Sequence, residues 1–456
     1  MSRGIYSTTD EVREHLTAKQ QRREGKLARA RQPFERLATF HPVDRDPVAL
    51  LAEQNRTRLP DLIGLRWQRM AASAFTFYRG SARLMAHDLA AQEETGQQIV
   101  ICGDAHISNF GLFASPERRL VFDLNDFDEA APGPWEWDVR RLVTSVVLGA
   151  RDAGFDAAAV SHLALQTAQA YRRAMRKLSR WSALDRYYAS VDDATIAAQM
   201  HSSSVKAFQR AADKARSRTA VQAVRRMTEP DETGVPRFVE QPPVLQHVTG
   251  VTADALRELF HGYLASVRPD LRMLVRSHRL VDGARRVAGV GSVGTRCYVV
   301  LLLDANDNPL VLQLKEAGRS VVTEANRPNA STPETLRADE HDGRRVVDHQ
   351  RILQAVSDPF LGWASVNGHD FYIRQFRDMK GSVNLSRLSP RTFEEYVVAC
   401  GLLLGRAHAQ SRALHWIAGY LGKGVGFDRA MTDWALAYAD QVERDFARFV
   451  RAAPWG

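Results

Sequence analysis

Apolar residues recur along this chain with two different periods, and the changes of period divide it. Residues 47–92 place large apolar side chains at three- and four-residue spacing, which predicts helix in two segments broken near Pro60. QQIVICG at 97–103 reads as a short strand entering a turn-rich loop, and RLVFDL at 119–124 as a second strand. A helix is expected from about Trp137, carrying VRRLVTSVVLGA. Residues 156–226 return to helical spacing, 227–245 are Pro-rich and polar and read as a loop, and helix resumes from 252 to about 279. The period then shifts to that of β-structure. RRVAGVGSVGTRCYVVLLLDANDNPLVLQLKEA reads as strand, Gly-rich turn, strand, tight turn and strand, with DANDNP supplying the hairpin residues. A helix over 341–356, strands near 361–366 and 370–377, and helices at 392–412 and 426–451 complete the pattern.

Composition narrows the class. The chain has 456 residues, 45% apolar and 25% charged, as a large globular core requires. Its formal charge of +9 suits an anionic ligand. Three cysteines without CxxC spacing, Cys102, Cys297 and Cys400, argue against a disulfide scaffold or structural zinc. The first residues lack an apolar signal core, and the apolar runs are too short to span a bilayer, so a reduced, cytoplasmic protein without a membrane span is expected. Residues 1–36 carry nine Lys or Arg against five acids, and 205–226 seven against one. Neither stretch interleaves aromatics with its bases, so a nucleic-acid partner is not expected.

The candidate chemistry lies in three places. Gly103-Asp104-Ala105-His106-Ile107-Ser108-Asn109 sets an Asp and an Asn five residues apart. A kinase catalytic loop has that spacing, because its carboxylate takes the acceptor's proton while the Asn oxygen reaches a metal. After the next strand, Asp123-Leu124-Asn125-Asp126-Phe127-Asp128-Glu129 crowds four acids into seven residues, which repel one another unless a cation sits among them. Asp126-Phe127 is the counterpart of the kinase D-F-G step, with Asp128 or Asp123 as a helper toward magnesium. The third place is Gly289-Val290-Gly291-Ser292-Val293-Gly294. A β-rich segment follows it where a dinucleotide fold would have a helix, which favours a kinase-type loop over phosphates. Ser292 at its tip can offer a hydroxyl, and Lys315, 21 residues after Gly294 at the end of an apolar strand, needs an anion to meet it. Asp348, on the following helix, is the chosen acidic partner of Lys315 over Glu316 and Glu324. Arg79, in the aromatic-flanked FTFYRG, is a candidate to grip a phosphate or the acceptor.

CGDAHISN followed by VFDLNDFDEAAPGPWEWDVRRL resembles the loops of aminoglycoside and choline phosphotransferases, which read roughly H-G-D-x-H-x-x-N, then I-D-F, then a later D-L. The resemblance implies that Asp104 is catalytic, that His106 is the loop histidine, that Asn109 and Asp126 hold metal, and that Asp138 is the helix-start Asp. Cys102 departs from the pattern, standing where those enzymes usually carry His. The Gly-rich loop and Lys315 follow the catalytic loop by about 180 residues instead of preceding it. GLLLGRAHAQ at 401–410 resembles the helix that leads into such a loop. Both facts imply an α+β, two-lobed protein-kinase-like fold in circularly permuted order, a mostly helical large lobe with a small antiparallel β-sheet lobe. Its parts would be an N-terminal helical region (1–98), the catalytic and metal loops with large-lobe helices (99–285), the β lobe (286–380) and closing helices (381–456). From about 45 to 450 the chain also resembles the bacterial family known as domain of unknown function 2252, through FTFYRGSARLMAHDLA, GVGSVGTRCYVVLL, IRQFRDMKGSV and HAQSRALHWIAGYLG.

The expected function is therefore ATP- and Mg2+-dependent phosphoryl transfer to a hydroxyl on a small molecule or a protein. The alternatives are a nucleotide-binding pseudokinase or scaffold, and a metal-dependent phosphoesterase. The last would need further His ligands on strand ends, where none stands.

Overall fold

The computed structural model describes residues 16–190, 205, 209–210, 212–213, 216, 220–248, 251–287, 289, 291, 293–326, 341–376, 381 and 383–452. Ser292 and residues 206–208, 211, 214–215 and 217–219 of the basic stretch 205–226 lie outside the described residues. The fold is α+β, mostly helical with antiparallel sheets. Its strands are β1 Gln98–Ile101, β2 Phe110–Ala114, β3 Leu120–Leu124, β4 Ala131–Pro134, β5 Thr228–Pro230, β6 Pro236–Phe238, β7 Leu245–His247, β8 Arg279–Arg286, β9 Cys297–Leu303, β10 Pro309–Ala317, β11 Gly362–Val366 and β12 His369–Gln375.

The helical core is built around Trp135–Asp152, which is buried along nearly its whole length. A helix apolar on every side is a central helix. Helices Ala157–Leu178, Pro390–His408 and Gly426–Ala452 pack around it, and its ring contacts include Trp135 stacked on Tyr171 at 5.9 Å. Pro390 opens its helix behind Ser389, whose hydroxyl accepts the Thr392 N–H, a satisfied N-cap. Residues 47–89 form four short helices where two were expected: Pro47–Gln54, Ile63–Met70, Ala74–Gly80 and Ala82–Leu89. The two further breaks, at 71–73 and at Ser81, carry no proline, so the spacing ran through them.

Six strands form one antiparallel sheet in the order β11-β12-β10-β9-β8-β7. The turn joining β9 to β10 is tied by Asp304, whose Oδ1 accepts the Asn306 and Asn308 N–H groups at 2.8 Å. The turn joining β11 to β12 is Asn367-Gly368 with φ of 52° and 73°, the left-handed pair that a two-residue hairpin requires. Alternation assigns the two faces of β9. Val300 and Leu302 meet helix Val251–Ser266 through Leu259 and Tyr263, whereas Val299 and Leu301 meet Val224 and Phe238. Helix Asp342–Leu353 packs on β11 and β12. The polar stretch 227–245, expected as loop, contains β5, β6 and the start of β7, because it pairs with itself and with β8. β8 ends at Arg286, where a strand was expected to begin. No helix among the described residues is long and apolar enough to cross a membrane.

Candidate active site

The loop from Gly103 to Asn109 joins β1 to β2. Gly103 has φ 75°, and a Cβ there would stand 2.2 Å from the Glu129 carbonyl oxygen. Only glycine lets the loop cross the acidic turn this closely. Gly103→Ala is therefore expected to cost roughly 2–5 kcal/mol, strain plus overpacking, measured by urea unfolding; a change within about 0.5 kcal/mol, typical of a neutral surface site, would refute the contact. The Asp138 carboxylate, in the first turn of helix Trp135–Asp152, accepts the Cys102 and Gly103 N–H groups at 2.7 and 2.8 Å. Its Oδ2 also lies 3.1 Å from Nε2 of His408, at the end of helix Pro390–His408. Tyr396, on that same helix, donates its hydroxyl to the Ile107 carbonyl at 2.6 Å. The helix expected to lead into the loop thus ends one side chain away from it.

Asp104 receives Arg141 through Nε at 2.8 Å and a terminal nitrogen at 2.7 Å. Arg141 lies 3.8 Å over the Tyr78 ring and donates to the Tyr78 carbonyl at 2.8 Å, so it is fixed from behind. Burial pushes the Asp104 carboxyl up to about 6 despite Arg141, and Asp126 adds to the rise. Its side chain remains 20% exposed. A carboxyl in this range can take a proton near neutral pH, as a general base must. His106 places Nε2 3.7 Å from Asp104 Oδ2, while its buried Nδ1 has no partner. Burial, then Arg79 and Arg141, hold the His106 pKa well below the ordinary value, so the imidazole is neutral. Asn109 donates Nδ2 to the Asp104 carbonyl at 2.6 Å, which leaves its amide oxygen as the acceptor end.

The acidic turn between β3 and β4 is gripped from the sheet. Lys315 on β10 and Tyr372 on β12 are paired across the ladder. The Lys315 ammonium reaches Asp128 Oδ2 at 2.9 Å, Asp126 Oδ1 at 3.6 Å and the Tyr372 hydroxyl at 2.8 Å. Tyr372 donates in turn to Asp128 Oδ1 at 2.6 Å. Burial works against the ammonium, but Asp126 and Asp128 outweigh it and hold its pKa well above the ordinary lysine value. Burial likewise opposes the Asp128 carboxylate, and Lys315 and Tyr372 still bring its pKa below the usual range. Asp128, expected as a metal helper, uses both oxygens on Lys315 and Tyr372. Asp123 accepts the Leu124 and Ala355 N–H groups at 2.9 Å, a structural role. Glu129, half-buried and pushed up by that burial to about 7, accepts the Val321 N–H.

The acidic partner of Lys315 is corrected by this geometry. Asp348 pairs with Arg344 at 3.2 Å and Arg351 at 3.7 Å on its own helix. The face turned to the acidic turn is that of Arg345 and His349, four residues apart, which both bond the Ala130 carbonyl, at 2.6 and 2.9 Å. Asp348 is off that stripe. Glu316 is taken by Arg296 at 3.0 Å, and Glu324 by Arg83 at 3.3 Å.

The Gly-rich turn lies against the N-terminal helices. Gly289 and Gly294 have φ of 72° and 90°. The Gly289 carbonyl accepts from Arg69 at 2.7 Å, the Gly294 carbonyl accepts the Leu59 N–H at 2.7 Å, and the Val293 carbonyl accepts from Arg58. A Cβ on Gly291 would meet the Arg79 carbonyl at 3.5 Å. The turn therefore touches helix Ala74–Gly80, whose Tyr78 carbonyl holds Arg141. Arg79 and Ser108 line a pocket of about 380 Å³.

Asp104, His106, Asn109, Asp126, Asp128 and Lys315 are thus joined by direct contacts or by one shared neighbour, with Arg79 and Gly291 at the margin. Arg141, Tyr372 and Arg345 were not legible as site residues. Arg141 carried one signal, standing three residues after Asp138 and so on the same helix face. Comparisons with curated proteins and with solved structures return no match. The sequence profile of one bacterial family, described as an uncharacterised protein conserved in bacteria, matches residues 58–452, and the chain belongs to that family, DUF2252.

Proposed function

We propose that this protein transfers the γ-phosphoryl group of ATP to a hydroxyl acceptor, with Mg2+, on a protein-kinase-like fold in circularly permuted order. The observation that carries the reading is the Lys315 contact with Asp126 and Asp128, at 3.6 and 2.9 Å, beside the loop that holds Asp104. A sheet lysine, a metal-loop acid and a catalytic-loop acid from three separate segments are the parts that phosphoryl transfer needs. The link from His408 through Asp138 to Cys102 and Gly103 supports the permuted order, because it places the end of a late helix at the start of an early loop.

The donors fit a magnesium ion. Asp126 Oδ1 is buried without a hydrogen-bond partner, and Asn109 keeps an amide oxygen while its nitrogen is held by the Asp104 carbonyl. Both are hard oxygen ligands, and Mg2+ is ordinarily held by one or two carboxylates, with phosphates and water supplying the rest. Magnesium bound at Asn109 and Asp126 would neutralise charge on the nucleotide phosphates.

Asp104, oriented by the two Arg141 N–H groups, accepts the proton of the acceptor hydroxyl. The acceptor oxygen forms its bond to the γ-phosphorus as the β–γ bridging bond breaks, and ADP leaves with that electron pair. Lys315 supplies positive charge toward the phosphates, and the neutral His106 packs beside the carboxylate and holds its position. Calorimetry with ATP tests the reading. Binding is expected only with Mg2+ in the native protein, and Asp126→Asn is expected to remove the magnesium requirement together with most of the affinity. Absence of ATP binding in both conditions would sink it. Tight binding without turnover on any acceptor would favour a nucleotide-binding pseudokinase.

A further inference from the structure

The strongest unassigned feature is the pocket of about 380 Å³ lined by Phe75, Arg79, Ser108, Val383, Asn384 and Leu385. Its size is that of a small-molecule site. Ser108 belongs to the loop of Asp104, so the catalytic-loop candidate supplies part of the pocket wall. Its walls combine apolar side chains with a hydroxyl, an amide and one guanidinium, the few placed polar groups that give a pocket its orientation.

Arg79 is the group without a structural task. An arginine beside a buried carboxylate is ordinarily that carboxylate's counter-ion, but Arg141 fills this role for Asp104 with two bonds, at 2.8 and 2.7 Å. Among the described residues no carboxylate stands within ion-pair distance of Arg79. Its Nε is buried without a partner, and its guanidinium carbon lies 6.0 Å from the Phe75 ring centroid. Asp152, the acid on the pocket wall, is exposed at the rim, where water screens it. A half-buried guanidinium with an unused donor is costly unless an anion meets it.

We propose that this pocket takes the acceptor, and that the acceptor is a small hydroxylated molecule carrying an oxyanion, a carboxylate or a phosphate, which Arg79 grips while the hydroxyl faces Asp104. The inference rests on the phosphotransferase reading for the identity of the ligand as acceptor. The anion site itself does not depend on it. Guanidinium is suited to the task, since its planar fork matches both oxyanions. Val383 and Leu385 with Phe75 leave room for a short carbon skeleton.

The test measures binding without nucleotide, by calorimetry on the full chain. Glycerate and glycerol 3-phosphate are the anionic probes, glycerol the neutral match, and choline the cationic one. At least about ten-fold tighter binding of one anion than of glycerol is expected, the worth of a charge-assisted hydrogen bond. Which of glycerate and glycerol 3-phosphate binds tighter identifies the oxyanion. Arg79→Met, which keeps the stem, is expected to abolish the preference. Ala153→Trp, at the exposed rim, is expected to block the anions and leave Mg-ATP binding unchanged, which separates this site from the nucleotide's. No binding of either anion, glycerol or choline binding as tightly, or a preference that survives Arg79→Met would overturn the proposal. If Mg-ATP binds while the anions fail, the pocket assignment falls and the phosphotransferase reading stands. If the anions bind through Arg79 and ATP does not bind, the anion site stands and the transfer reaction falls.

Discussion

Asp104→Asn is expected to lower phosphoryl transfer by about 10³-fold or more, ~4 kcal/mol of transition-state stabilisation, while Mg-ATP binding survives. The separation follows from position. Asp104 is held by Arg141 and shares its loop with Ser108, which lines the proposed acceptor pocket, whereas the groups assigned to the nucleotide are Lys315, Asp126 and Asn109. The variant leaves Arg141 without its counter-charge, but Arg141 keeps its bond to the Tyr78 carbonyl and its place over the Tyr78 ring, so the fold is expected to persist. Retained ATP binding checks this directly. The proposed reaction also has a pH signature. Burial raises the Asp104 carboxyl to about 6, so as pH falls through that value the carboxylate gains a proton and the base is lost. The rate should therefore rise with pH and level off above about 7, one unit past the midpoint, and the acid limb should be absent from the residual rate of Asp104→Asn. Native-like turnover by Asp104→Asn, or an unchanged acid limb in it, would remove Asp104 from the role of base.

The candidate residues were legible where one short segment carries the whole group. Asp104 with Asn109, and Asp126 with Asp128, are read from spacing alone, since the loop geometry that brings them together is local. Lys315 was legible because a lysine closing the apolar run VLQL calls for an anion. Its partner was not. The choice of Asp348 assumed that an acid on the next helix would face the sheet, but facing depends on helix rotation, and Arg345 and His349 occupy that stripe. Tyr372 reaches Lys315 only through the register of β10 against β12, a long-range property that composition does not encode. Arg141 was hidden for a related reason, because VRRLVTSVVLGA reads equally as a buried helix with two incidental arginines. The strands within 227–245 were missed because proline and charge mask a hairpin that is too short to show alternation. Helix positions survived best: 426–451 was expected and Gly426–Ala452 is found, since a long amphipathic stripe outweighs local exceptions.

The Lys315–Asp128 pair invites a cycle that separates stability from function. Lys315→Met leaves the half-buried Asp128 with Tyr372 and the field of Arg374, and breaking a buried pair from one side costs about 3–5 kcal/mol, an upper bound here because the Asp128 side chain is 30% exposed. Adding Asp128→Asn removes the stranded charge, so the double variant Lys315→Met, Asp128→Asn should recover most of that loss in urea unfolding. The pH dependence carries the sign of the pair. Asp128 has its pKa lowered in the fold, so its stabilisation is present above the ordinary value of 3.8 and is lost as pH falls through the lower folded value. Lys315 is raised, so its share is present below 10.5 and fades only as pH rises past the higher folded value. Near neutral pH both shares are complete in the native protein, and the double variant should lose the acid-side dependence. ATP binding should behave otherwise. On the proposed reading Lys315 supplies charge to the phosphates, which asparagine at 128 cannot replace, so the double variant should fold and still bind ATP at least about ten-fold more weakly than the native protein, ~1.4 kcal/mol. A double variant that regains both stability and full ATP affinity would reduce Lys315 to a bolt between the sheet and the acidic turn, and would leave the nucleotide site without its lysine.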